Sequence, residues 1–194
     1  MLPLILELQQ QCIKLNSSIE DLLRTVLVIA KKLDLPEYQK WAESELKGYE
    51  NHKKVPNYRI IKGIPVVLSE QGVWQEVRVD NLSTEVIDKM STFHIDYSVG
   101  QIENALINNP PAFVITYDIK TQEMLMNAMS QSFIPGVKVD SMKLKNILSN
   151  IKSIILAWTF ELERNKVFGK DLFFTEEEKT RANSIKLADV LQKV

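Results

Sequence analysis

Cysteine and histidine are scarce in this 194-residue chain. Cys12 stands alone, and His52 and His94 are the two histidines. A structural zinc site takes four Cys or His ligands, so these side chains exclude one unless carboxylates or a second chain contribute. A single cysteine also excludes an intrachain disulfide, which fits a reducing compartment. Cys12 falls on an apolar helical stripe with Leu8 and Leu15, the usual setting of a buried, inert thiol rather than a nucleophile. Glycine is equally sparse. Gly48, Gly63, Gly72, Gly100, Gly136 and Gly169 are scattered, and phosphate loops need clustered glycines so that the backbone can approach the anion. A Walker A loop, a dinucleotide fingerprint and a G-x-S-x-G elbow are therefore excluded, while nucleotide binding by side chains stays open. Long apolar runs are missing too. Leu22 to Ala30 is the most apolar stretch, contains Arg24, and is about half of the roughly 20 residues a span needs. The start, Met1-Leu2-Pro3, lacks a basic n-region and a cleavage site, so the reading is a cytoplasmic protein without a secretory signal or membrane association. Charge of one sign is absent as well: 24 basic against 25 acidic residues give a net charge of −1. That removes the global argument for a nucleic-acid or membrane-surface protein and leaves only a local patch.

What is present is a soluble globular composition, 45% apolar and 25% charged. A chain of this length buries roughly 70% of its unfolded surface. The first fifty residues predict three helices: Leu4, Ile5, Leu8, Cys12 and Leu15 stripe the first. A Ser17–Glu20 capping box opens the second, with Ile19, Leu22, Leu23, Val26, Leu27, Ala30 and Leu33 as its buried face. Pro36 starts the third. β-Branched and aromatic segments follow at Tyr58–Ile61 and Ile64–Leu68, and Val73–Val79 alternates. Gln71-Gly72 reads as a turn, and Pro65 suggests an edge or a bulge. Ser83 and the Ser98–Gln101 box predict short helices, Ala112–Tyr117 a strand, Gln122–Phe133 a helix, and Pro135-Gly136 a turn. Asp140 caps the longest helix, and a Thr175–Glu178 box opens a last one running to about Gln192. The expected fold is α+β: an N-terminal three-helix segment, a small mostly antiparallel sheet with short helices, a long C-terminal helix and a terminal helical appendage. Residues 1–170 form the expected domain and 171–194 the appendage, packed on it or on a partner.

Local constellations supply the candidate sites. Between Lys47 and Lys62 the basic residues Lys47, Lys53, Lys54, Arg59 and Lys62 face Glu50 alone, with Tyr49 and Tyr58 interleaved. Lys53, Lys54, Tyr58, Arg59 and Lys62 could meet phosphates and stack on bases, although a solvated loop with two core-anchoring tyrosines is the favoured reading. Trp41 and Glu45 are neighbours on the third helix. With Arg59 they make either a structural tie, which we favour, or the wall and charge pair of a small anion pocket. Glu161 and Glu163 point apart on a helix, and Glu176, Glu177 and Glu178 already have a capping role, so no metal centre is expected there. His94 and Asp96 form H-x-D without the third group a triad needs. No catalytic residue, cofactor or metal is assigned.

Several of these residues, in order, carry a resemblance. Asp21-Leu22-Leu23-Arg24, Ala30, Lys32-Leu33, Trp41, Glu45-Leu46-Lys47-Gly48-Tyr49 and Val55-Pro56-Asn57-Tyr58-Arg59 resemble the N-terminal signature of the AbiTii-like domain of bacterial abortive-infection proteins. Leu4-Ile5-Leu6-Glu7-Leu8 fits it, as do Trp158 with Glu161-Leu162-Glu163 and the Phe174–Lys179 segment. The middle third departs most. The resemblance implies phage defence in which the infected cell stops growing or dies, and it transfers no active-site motif. The expectation is a non-enzymatic sensor, adaptor or toxin module that binds a protein partner or itself as a homo-oligomer. The alternative is a nucleic-acid-binding protein or metal-dependent nuclease using the Lys47–Lys62 segment.

Overall fold

The computed structural model describes residues 2–15, 17–50, 55–77, 84–129 and 133–193. The fold is α+β, as the sequence predicts. Its helices among the described residues are α1 (Leu4–Ile13), α2 (Ile19–Lys32), α3 (Pro36–Lys47), α4 (Thr84–Ser91), α5 (Val99–Ala105), α6 (Ile119–Met129), α7 (Ser141–Arg164), α8 (Glu176–Ala182) and α9 (Leu187–Leu191). Its strands are β1 (Ile60–Lys62), β2 (Ile64–Leu68), β3 (Trp74–Glu76), β4 (Thr92–His94), β5 (Ala112–Thr116) and β6 (Ile134–Asp140). The chain divides into two compact units built from separated segments. Residues 1–50, 96–105 and 146–194 form the first; residues 51–95 and 106–145 form the second.

The first unit is helical. α2 supplies its most regular apolar face: Ile19, Leu22, Leu23, Val26, Ile29 and Ala30 are all buried. Each large aliphatic side chain so buried contributes about 1.5–3 kcal/mol. The N-terminus of α2 differs from the expected Ser17–Glu20 box. Ser18 is the N-cap and accepts from the Asp21 N–H at 3.3 Å. Ser17 instead donates to the Gln11 carbonyl at 2.5 Å, and Glu20 pairs with Arg24 at 2.6 Å. Glu103 of α5 adds a carboxylate at this positive helix end, accepting from the Ile19 N–H at 2.8 Å. Asp34, at φ 56°, then turns the chain into α3, with Pro36 in its first turn as expected. Cys12 is buried, and burial pushes its thiol up to about 11, with Lys152 pulling the other way. Leu15 is 97% exposed because α1 has already ended at Ile13.

The second unit carries the sheets. One has four antiparallel strands in the order β3-β2-β6-β5; the other pairs β1 with β4. The expected Gln71-Gly72 turn joins β2 to β3: Gly72 sits at φ 75° and its N–H donates to the Ser69 carbonyl at 2.9 Å. Two readings are corrected here. Pro65 lies in the interior strand β2, not at an edge, and Pro135-Gly136 lies within β6, not in a turn. The reason is the alternation of an antiparallel ladder. Val77 donates to the Pro65 carbonyl at 3.0 Å, so the odd residues of β2 bond towards β3 and the even ones towards β6. The odd residues of β6 therefore bond towards β5. Each proline aims its missing N–H at the last rung of a short ladder, so little is lost. β4 is short enough that its three residues give no alternation to read.

The last predicted helix is two, α8 and α9. Between them Asn183 donates its amide to the Lys179 carbonyl at 3.0 Å, and Ser184 its hydroxyl to the Arg181 carbonyl at 2.7 Å. Such local side-chain bonds compete with helix propagation. The predicted Ser83 cap and the end of the alternating segment at Val79 lie outside the described residues.

In the first unit Tyr38 stacks on Trp158, ring centroids 4.7 Å apart and planes at 22°. Both rings are buried, and among the described residues neither the Tyr38 hydroxyl nor the Trp158 Nε1 has a hydrogen-bond partner. An unpartnered buried hydroxyl costs about 1–3 kcal/mol. Tyr38→Phe keeps the stack and removes that group. The unfolding free energy from urea titration is expected to stay level or rise by about 1 kcal/mol; a fall of that size would mean that the hydroxyl is satisfied in solution.

Candidate functional site

Of the basic segment's candidates, Tyr58, Arg59 and Lys62 are among the described residues. Lys53 and Lys54 lie outside the described residues. Arg59 closes a 3-10 turn, has 0% exposure, and donates from Nη1 to the Ile95 carbonyl at 3.0 Å, while the Ile95 N–H returns a bond to the Arg59 carbonyl at 2.8 Å. Lys62 is exposed on β1 and pairs with Asp88 of α4 at 2.5 Å. Tyr58 is half-buried. Trp41 and Glu45 are buried on α3, in the first unit, and Glu45 accepts from the Tyr49 hydroxyl at 2.6 Å; Arg59 belongs to the second unit. Likewise His94 sits in β4, opposite Ile60, and Asp96 begins a segment of the first unit whose carbonyl accepts from the Tyr49 N–H at 2.8 Å.

The acidic candidates are engaged one by one. Glu161 accepts from Lys193 at 2.7 Å and from Arg164 at 3.1 Å. The hydrogen bond from Lys193, with Arg164 adding to it, holds its carboxyl below the usual range. Glu163 accepts from Gln9 at 2.9 Å. Among the described residues no three acidic, His or Cys side chains are placed to share a metal ion.

Glu178 is the acid that organises its surroundings. The predicted box forms: Thr175 Oγ1 accepts from the Glu178 N–H at 3.2 Å, and Glu178 Oε2 accepts from the Thr175 N–H at 2.9 Å. The other oxygen, Oε1, accepts from the N–H groups of Phe168 at 2.9 Å and Gly169 at 3.1 Å. The carbonyls of that same dipeptide accept from α1: Leu4 N–H reaches Gly169 O at 3.2 Å and Ile5 N–H reaches Phe168 O at 3.1 Å. Gly169, at φ 65°, lies against the Phe174 ring, which a Cβ would approach to 2.6 Å, so a side chain here would be strained and would have to displace that ring.

Directly after this knot the chain makes a tight hairpin. Lys170 and Phe173 exchange both backbone bonds, at 3.0 and 2.8 Å. The two residues between them, Asp171 (φ 51°) and Leu172 (φ 61°), are both left-handed, the sign pattern of a type I′ turn. Aspartate tolerates this; leucine does not, at a cost of about 1–2 kcal/mol. Leu172 is nevertheless 49% exposed and Phe173 68% exposed, whereas Phe174 is buried. Leu2, Pro3, Lys170, Phe173 and Glu178 line an open cavity of about 390 Å³ at the base of the hairpin. Sequence reading found the box but not the hairpin. The available signal was three consecutive apolar residues, Leu172-Phe173-Phe174, placed in a loop between Gly169 and a helix cap.

A family model for AbiTii matches residues 3–187, nearly the whole chain and all of the site just described. The chain belongs to the AbiTii family. No curated protein and no solved structure matches it. AbiTii membership associates the chain with abortive infection and phage defence. Among the described residues of this AbiTii protein no helix is long and apolar enough to cross a membrane.

The Glu178 contacts set a pH dependence. Burial pushes the carboxyl upward, but the N–H groups of Phe168, Thr175 and Gly169 outweigh it and hold it below the ordinary value of 4.5. A depressed folded-state value means stability that is present above about pH 4.5 and lost as acid protonates the folded form. Glu178→Gln is expected to lose about 1–2 kcal/mol at pH 7. The gap to the wild type should close on acidification below about pH 4, as read from denaturation midpoints across pH.

Proposed function

We propose that this AbiTii protein serves phage defence as a non-enzymatic interaction module, in which the Lys170–Phe173 hairpin is the element that engages a protein partner. The observation that carries this reading is the exposed apolar tip, Leu172 and Phe173, held on a backbone that leucine disfavours. Strain is kept in a fold when the surrounding contacts over-determine it, and such positions cluster at functional sites. Here four hydrogen bonds at Phe168 and Gly169 fix the hairpin's base. At 49% and 68% exposure, the leucine and phenylalanine leave much of their apolar surface in solvent. Phe173 and Leu2 line the same cavity, which offers an apolar cleft for a partner's hydrophobic side chain beside the exposed Leu172. Burial of Arg59 and pairing of Lys62 with Asp88 weigh against the nucleic-acid reading, because phosphate contacts need accessible cations.

Leu172→Gly separates stability from function. Glycine accepts the left-handed backbone, so the variant should be more stable than the wild type by about 1 kcal/mol. It should at the same time lose protection in a plaque assay, as should Phe173→Ser. Full protection by both variants at wild-type abundance would refute the hairpin's role.

A further inference from the structure

The four-stranded sheet ends in two edges of different character. At one, β3 has three residues, carries the exposed Glu76 beside Lys138 at 3.6 Å, and follows a tight turn. Short length and charge are the ordinary ways to keep an edge from pairing. At the other, β5 reads Ala-Phe-Val-Ile-Thr, with no charge and no proline inside it. Its pairing with β6 fixes which groups face outward. The Ser141 N–H donates to the Pro111 carbonyl at 3.2 Å, so the odd residues of β5, Phe113 and Ile115, bond to Val139 and Val137. Ala112, Val114 and Thr116 then present their N–H and C=O groups along the open edge. Among the described residues no hydrogen bond reaches any of these six groups. Thr116 is exposed, and Ala112, Phe113 and Val114 are half-buried.

We infer that this edge pairs with β5 of a second copy of the chain, antiparallel and centred on Val114. Six unpaired backbone groups in register call for an extended strand as occupant. The strand is complementary to itself. In a two-fold pairing Val114 faces Val114, Ala112 faces Thr116 and Phe113 faces Ile115. Ala112, Val114 and Thr116 of one chain meet Thr116, Val114 and Ala112 of the other in hydrogen-bonded pairs, so all six N–H groups of the two chains find a carbonyl. No like charges meet across the axis, and an aromatic side chain lies beside a β-branched one, a favourable cross-strand pair. Beyond the strand, Pro110 and Pro111 end the pairing on one side and Asp118, bound to its own Thr121 at 2.6 Å, on the other. The result is a continuous eight-stranded sheet. This inference deepens the interaction reading by naming the chain itself as one partner, and it does not depend on the hairpin.

Sedimentation of the full chain over a concentration series should show a reversible monomer–dimer equilibrium. Val114→Pro removes the N–H nearest the axis without touching the β6 ladder. It should weaken the dimer by at least about tenfold while the denaturation midpoint stays near that of the wild type. A second variant keeps the test independent of folding losses. Val114→Cys, opposite its own equivalent, should cross-link to a covalent dimer with a short bis-maleimide, whereas Gln75→Cys on β3 should not. A wild type that sediments as a monomer throughout, or cross-linking from position 75 as readily as from 114, would overturn the inference. A monomer whose protection still depends on Leu172 and Phe173 would overturn this inference alone. A β5-dependent dimer indifferent to those residues would overturn the hairpin's role and leave this one standing.

Discussion

Two peptide groups, those of Phe168 and Gly169, hold the helical unit's termini together. Their N–H groups go to one carboxylate oxygen of Glu178 and their carbonyls to the first N–H groups of α1. Both sides of that exchange solve a standing problem. The N-terminus of α1 has proline as its N-cap and no side-chain cap, so its free N–H groups need outside acceptors. A partly buried carboxylate needs donors, and three backbone N–H groups are strong ones. Because every hydrogen-bonding group of the dipeptide is committed, the chain leaves Gly169 in one direction. That constraint is what makes a strained turn at Asp171 and Leu172 affordable.

What the sequence made legible was local. Thr175 with Glu178, Ser98 with Gln101 and Pro36 at its helix start act over one turn of chain, and each is found where the pattern put it. What it hid was remote. Ile19 is capped by Glu103, 84 residues away, and no spacing rule reaches that far. The proline of β6 reads as punctuation because propensity treats a missing N–H as lost everywhere; only the ladder's alternation shows that this one is aimed at the ladder's last rung, where little is lost. The hairpin escaped for the opposite reason. Leucine is among the residues least expected at positive φ, so the pattern that marks a type I′ turn was absent from its sequence.

The basic segment shows how charge along a chain differs from charge on a surface. Five cations between Lys47 and Lys62 suggest a patch, but folding turns Arg59 inward and gives Lys62 an aspartate. A buried guanidinium bonded to a carbonyl acts on the fold, and an exposed lysine beside a carboxylate carries little net field. The apolar side chains invert the same lesson. Hydrophobic residues that composition assigns to a core stand in solvent at Leu172 and Phe173.

The two interaction elements lie in different units, the hairpin in the helical one and β5 in the sheet-bearing one. In the β5 pairing proposed above, each particle would carry two hairpins. Under that proposal, two apolar tips on one particle would bind a repeated partner more tightly than one tip, since the second contact forms at a high effective concentration.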